Sequence, residues 1–161
     1  GFPDVFNCAE EILLITIQNY NTKEIITWGT RPYESDRENY RYIHCHTEIE
    51  LIEKVPDSSQ DHVLSFGALG MYLYREEMTA AVAEAVRILK PGGGMCLTHF
   101  IEPNGRNPGS ILQPVEKSHW EKVRDKHGLE RMRLVTLLNQ GNFGDRYAVC
   151  FTKKRLLLVQ R

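Results

Sequence analysis

Apolar residues fall in two kinds of pattern along this chain, and the change from one to the other is sharpest between Asp61 and Phe100. His62 to Phe66 is an almost unbroken apolar run with Val63, Leu64 and Phe66 at its centre, which predicts a strand covered on both faces, as in a parallel sheet. From Arg75 to Leu89 the period lengthens: Met78, Val82, Ala85, Val86 and Leu89 form one apolar stripe, with Glu76, Glu77, Glu84 and Arg87 opposite, which predicts a helix. The acidic pair complements the positive end of the helix dipole, and Arg87 and Lys90 the negative end. Pro91 and glycines 92 to 94 should stop the helix by supplying a positive-φ cap. Met95 to Phe100 follows as a second apolar strand, so the stretch reads as a right-handed βαβ unit.

The remaining elements are placed by the same means. Val5 to Asn19 carries Val5, Phe6, Ala9, Ile12, Leu13 and Thr16 at helical spacing behind Asp4 as an N-cap, and is read as a helix. Ile12 to Ile17 is nonetheless β-branched enough to be a strand. Strands are expected over Glu24 to Thr30 and Tyr40 to His46, and Thr47 to Gln60 is an approach to the His62 strand. A helix over Ser118 to Gly128 should be closed by that glycine, with strands at Leu129 to Leu138 and Asp145 to Lys153 joined by the turn-rich Asn139 to Gly144.

The central stretch, D-x-V-L-S-F-G-x-L followed by a helix ending A-x-R-I-L-K-P-G-G-G, resembles the fourth strand, next helix and fifth strand of class I S-adenosylmethionine-dependent methyltransferases. Pro56-Asp57-Ser58-Ser59 before Asp61 is similar to that family's approach to its fourth strand. The resemblance implies an α/β, Rossmann-like fold, with a mostly parallel sheet finished by an antiparallel C-terminal strand. It also exposes a gap, because the family's first strand and the glycine-rich D/E-x-G-x-G-x-G loop after it have no match, and Gly1 stands where the last glycine of that loop would be. That strand is central in the family's sheet, so its neighbours would be left with unpaired backbone groups at roughly 1 to 3 kcal/mol each. Preceding residues, another chain, or a rearranged Ile12 to Ile17 strand must fill the place. Residues 1–161 are therefore read as a single, incomplete methyltransferase-like domain.

Site residues follow from the same resemblance. It places Gly1 at the methionine part of S-adenosylmethionine, Thr30 near the ribose where the family has an acid, and His46 with Thr47 at the adenine. Ser65, Phe66 and Gly67 lie at the carboxyl end of the fourth strand, where ligands of open α/β sheets bind. His99, with Glu102 nearby, is the candidate base for an O or N acceptor, and Tyr72 and Tyr74 are substrate-side candidates. The implied function is methyl transfer to a small molecule, or a catalytically inactive relative serving as a structural or interaction subunit.

Composition narrows the partners. The 161 residues carry 20 basic and 21 acidic side chains, a formal charge of -1, with no basic stripe of the kind that binds nucleic acid. Cys8, Cys45, Cys96 and Cys150 are dispersed, which points to neither a zinc site nor a disulfide framework and favours a reducing intracellular compartment. No apolar run approaches the ~20 residues that span a bilayer. Leu156 to Val159 is apolar beyond the last expected strand, and suggests a protein partner covering it or completing the sheet.

Overall fold

The computed structural model describes residues 15–19, 23–29, 41–65, 69, 75–101, 114–137 and 146–155. In chain order these form β1 (Ile15–Asn19), β2 (Glu24–Trp28), β3 (Arg41–Cys45), α1 (Glu48–Lys54), β4 (Gln60–Ser65), α2 (Arg75–Ile88), β5 (Leu89–Ile101), α3 (Lys117–His127), β6 (Leu129–Leu137) and β7 (Arg146–Lys153). The seven strands make one sheet in the order β3-β2-β1-β4-β5-β7-β6. β2 with β3 and β4 with β5 are parallel pairs, and β7 runs antiparallel between β5 and β6. The α/β, Rossmann-like class expected from the resemblance is the class observed.

The central place is taken by β1, which pairs antiparallel with β2 on one side and with β4 on the other. Residues 15–19 are thus strand and not the end of a helix, and the rest of that expected helix, residues 5–14, lies outside the described residues. The physical reason is the vacancy that a parallel first strand would otherwise fill. Ile17 pairs with Ile26 and with Val63, so both inner neighbours gain backbone partners, and antiparallel pairing needs only a short connection to β2. Lys23, at φ 53, sits in that connection.

All three described helices pack on one face, where Ile26, Val63, Met95, Leu97, Val149 and Phe151 meet Leu51 of α1, Met78, Val82 and Ala85 of α2, and Trp120 and Val123 of α3. Burying each large side chain stabilises the fold by roughly 1.5 to 3 kcal/mol. Around Trp120, Phe100 stacks edge-on at 4.7 Å, while the indole Nε1 donates to Tyr147 Oη at 2.8 Å and that hydroxyl donates to the Val115 carbonyl at 2.5 Å. The polar ends of two buried aromatics are thereby satisfied.

α2 ends at Ile88, and its last carbonyls are met without a glycine cap. Ser58 and Ser59 amides donate to the Arg87 and Ile88 carbonyls at 2.9 Å each, and Lys153 Nζ donates to Val86 and Leu89 at 2.9 and 2.8 Å. The chain is already extended from Leu89, and the Pro-Gly run bulges out of β5, with Lys90 to Gly93 set against Asp61 alone. Gly92 supplies the positive φ of 84. At Gly93 a Cβ would lie 2.7 Å from Leu89 Cδ1 and 2.9 Å from the Asp61 and Lys90 carbonyls, so only glycine fits. α3, by contrast, ends as its sequence indicates, on Gly128 at φ 63.

Ile17→Pro removes a backbone donor from the middle of this sheet and should destabilise by about 1–3 kcal/mol or more. On that basis thermal denaturation should show the midpoint falling by roughly 3–10 °C. An unchanged midpoint would mean that β1 is not a central strand.

Candidate functional site

The carboxyl ends of β2, β3, β4 and β5 open on the same edge of the sheet, because these strands run the same way. β1 is reversed, so this edge receives its amino end, with Ile15 opposite Trp28. Open α/β sheets bind their ligands in this place.

The ends of β2 and β3 are held together. The Gly29 amide donates to the Cys45 carbonyl at 3.0 Å, and Thr27 Oγ1 is hydrogen-bonded to His44 Nδ1 at 3.2 Å. Cys45 is fully buried, and desolvation pushes its thiol up, which makes it a packing residue at this edge. His44 and His46 rings stand 6.2 Å apart, and among the described residues no third ligand joins them.

His46 and Thr47 form the start of α1. Thr47 is its N-cap: Thr47 Oγ1 accepts from the Glu50 amide at 3.2 Å, and Glu50 Oε2 accepts from the His46 amide at 2.8 Å. The Glu50 amide and the amide of His46, one residue before the cap, are thereby satisfied in a variant of the capping box. The bond from His46 is the main reason that the Glu50 carboxyl is held below its usual range, with Lys54 adding to it. Both His46 and Thr47 side chains remain exposed at the edge. α1 was missed in reading the sequence, where the T-x-x-E signature at Thr47 to Glu50 was the available signal.

Ser65 closes β4 and differs from the rest. Its side chain is buried, and Oγ has no hydrogen-bond partner among the described residues. Its carbonyl, by contrast, accepts from Thr98 Oγ1 of β5 at 3.0 Å. A buried hydroxyl without a partner among the described residues costs roughly 1 to 3 kcal/mol, and this one stands at the ligand edge.

The other sequence candidates are less defined. Gly1, Thr30, Phe66, Gly67, Tyr72, Tyr74 and Glu102 lie outside the described residues, as do Leu156 to Val159. His99 is in β5, two residues before its end at Ile101. A separate cleft of about 400 Å³, lined by Lys117, Glu121, Arg124, Met132 and Leu134, lies between α3 and the edge strand β6, far from Ser65.

Residues 21–97 match the family described as a methyltransferase domain. No protein of curated function matches in sequence. Among solved structures, an S-adenosylmethionine-dependent methyltransferase from Methanosarcina mazei superposes with a TM-score of 0.55 at 15% identity, over 78% of this chain and 74% of its own. Burkholderia thailandensis 1,6-didemethyltoxoflavin-N1-methyltransferase, with S-adenosylhomocysteine bound, gives 0.55 at 13% identity, over 73% of this chain and 52% of its own. Magnesium protoporphyrin IX methyltransferase from Synechocystis PCC 6803, also with S-adenosylhomocysteine, gives 0.53 at 11%, over 73% and 54%. The chain thus spans about half the length of the latter two. At these identities the likeness is one of fold.

Thr47→Ala should cost about 1 kcal/mol, read as a fall of roughly 2–4 °C in the melting midpoint. Because the Glu50 pKa is depressed on folding, its contribution is present above the unfolded value and is lost as pH falls through the lower folded value. The midpoint difference between the native chain and Glu50→Ala should therefore be constant near neutrality and shrink as pH drops below 4.5. A difference that persists into strong acid would show that the carboxylate is not part of the cap.

Proposed function

We propose, from the match of residues 21–97 to a methyltransferase domain and the resemblance to class I S-adenosylmethionine-dependent methyltransferases, that this chain binds S-adenosylmethionine at the carboxyl edge of its sheet. The Ser65 hydroxyl carries the reading: a buried donor and acceptor with no partner among the described residues, on the edge where four strands end, is what a polar ligand would use. The cofactor would supply a methyl group activated on a sulfonium, and the acceptor would be an O or N of a small molecule.

In this arrangement Ser65 orients the ligand, with Phe66 and Gly67 continuing its side of the site. His46 and Thr47, exposed at the start of α1, lie against the adenine, Thr30 against the ribose and Gly1 against the methionine end. The α1 cap fixes the backbone of residues 46 and 47, so their side chains are presented from a rigid turn. His99 would accept the proton of a hydroxyl or amine acceptor. Alignment of acceptor and methyl supplies most of the effect in such a reaction, and little further acid-base chemistry is needed.

One observation favours a second reading, a methyltransferase-like domain that works as a structural or interaction subunit without turnover. The connection from β1 to β2 leaves the opposite edge of the sheet from Ser65, because β1 is reversed. It therefore cannot serve as the loop that cradles the methionine end in the resembling family. In either reading, residues 1–161 act as one methyltransferase-like domain, with a protein partner able to complete the site or cover Leu156 to Val159.

Isothermal titration of S-adenosylmethionine into the native protein, its amino terminus established by mass spectrometry, separates the two. Micromolar binding is expected. Ser65→Ala should weaken it about tenfold, while relieving the buried hydroxyl should leave the melting midpoint equal or higher. Absence of binding by the native protein would leave the second reading.

A further inference from the structure

Cys96 of β5 and Cys150 of β7 face each other directly in the antiparallel ladder. Facing residues in such a ladder have Cα atoms about 4.5–5.5 Å apart, inside the ~4.4–6.8 Å range of disulfides. Both are free cysteines and half-buried, and as a directly facing pair they project from the same face of the sheet. The same row continues to Leu64 of β4 beyond Cys96 and to Arg133 of β6 beyond Cys150. Neither thiol has a part in the carboxyl-edge site, and their dispersion in sequence hides the pairing.

We propose that Cys96 and Cys150 are an oxidation-sensitive pair that forms a cross-strand disulfide in exchange with a low-molecular-weight disulfide of the glutathione class. The thiolate of one cysteine attacks one sulfur of the oxidant, forming a mixed disulfide and releasing one thiolate. The other cysteine then gives up its proton and attacks the first cysteine's Sγ, expelling the second thiolate. Two electrons pass from the cysteine pair to the oxidant, which leaves as two thiols carrying the two protons the cysteines lost. Desolvation is the largest cause that pushes the Cys96 thiol up to about 12.

The bond would close the loop that contains α3 and β6, restricting the unfolded chain while asking little of the native ladder. The test is to equilibrate the native protein in mixtures of oxidised and reduced glutathione, quench with acid, alkylate and map peptides by mass spectrometry. A Cys96–Cys150 linked peptide should accumulate with oxidation and vanish with dithiothreitol, and the melting midpoint of the oxidised form should rise by roughly 5–10 °C. Cys96→Ser and Cys150→Ser should each abolish the linked peptide. The proposal is overturned if the native chain holds only mixed disulfides, if the links involve Cys8 or Cys45, or if oxidation lowers the midpoint. Peptide mapping of the native chain decides the matter even if a variant fails to fold.

Discussion

A strand in the middle of a sheet has to find a backbone partner on each side, and in this fold that demand falls on the place between β2 and β4. Both carry the buried apolar residues that anchor the helical face, so neither can stand as an exposed edge. β1 meets the demand from the nearest available segment. A hairpin back from β2 is the least costly route, since a parallel strand would need a crossover of a dozen residues or more. The sheet is thereby continuous from β3 to β6. What the reversal does not reproduce is the direction of the chain, and with it the position of the loop that would follow a parallel first strand. Completing the backbone ladder and building a cofactor cradle are therefore separate achievements in this molecule.

The two edges of the sheet are built differently. At the amino edge polar groups are tied together: Arg87 reaches Asp57 at 2.7 Å, Glu84 at 2.7 Å and the Val55 carbonyl at 3.0 Å, while Lys90 reaches Asp61 at 3.2 Å. Lys153 holds the carbonyls that end α2, and Arg41 pairs with Glu24. The exposed members of this set add little individually. Their joint effect is to fix where β4 and β5 begin. The carboxyl edge has the α1 cap and the Thr98 contact, but it leaves the Ser65 hydroxyl unmatched. Buried polar atoms without partners among the described residues occur at both edges, Gln60 Oε1 and Arg87 Nη2 at the amino edge and Ser65 Oγ at the carboxyl edge.

The parts legible in the sequence were those fixed by local chemistry. Apolar periodicity located α2 and the strands on either side of it, and Gly128 located the end of α3. The Pro-Gly run was recognised as a break but misplaced in role, since the helix carbonyls are met by residues distant in sequence, above all Lys153. Residues 12 to 17 were recognised as β-branched, yet were read as a helix because only parallel pairing was considered there. The strand state of residues 15–17 depends on what β2 and β4 lack, which no local window contains. At the site, Ser65 was visible from its position after an apolar run, whereas its missing partner is a property of packing. His46 and Thr47 were picked out by position, and the capping box that holds them lay in plain view.

Thr98 links the two chemical features that the sequence could not bring together. Its hydroxyl holds the Ser65 carbonyl, and so fixes the backbone from which the unmatched side chain projects. Two residues earlier in β5 is Cys96, facing Cys150. A register shift between Leu97 and Phe100 interrupts the β5–β7 pairing just beyond, so the ladder is regular at the cysteines and irregular where β5 approaches the ligand edge. A covalent bond at Cys96 would therefore secure the rung beside Leu97–Val149, the last regular one before Thr98. It would act on the Ser65 backbone through a short, hydrogen-bonded length of strand, while leaving free the residues past Leu97 that an acceptor would meet.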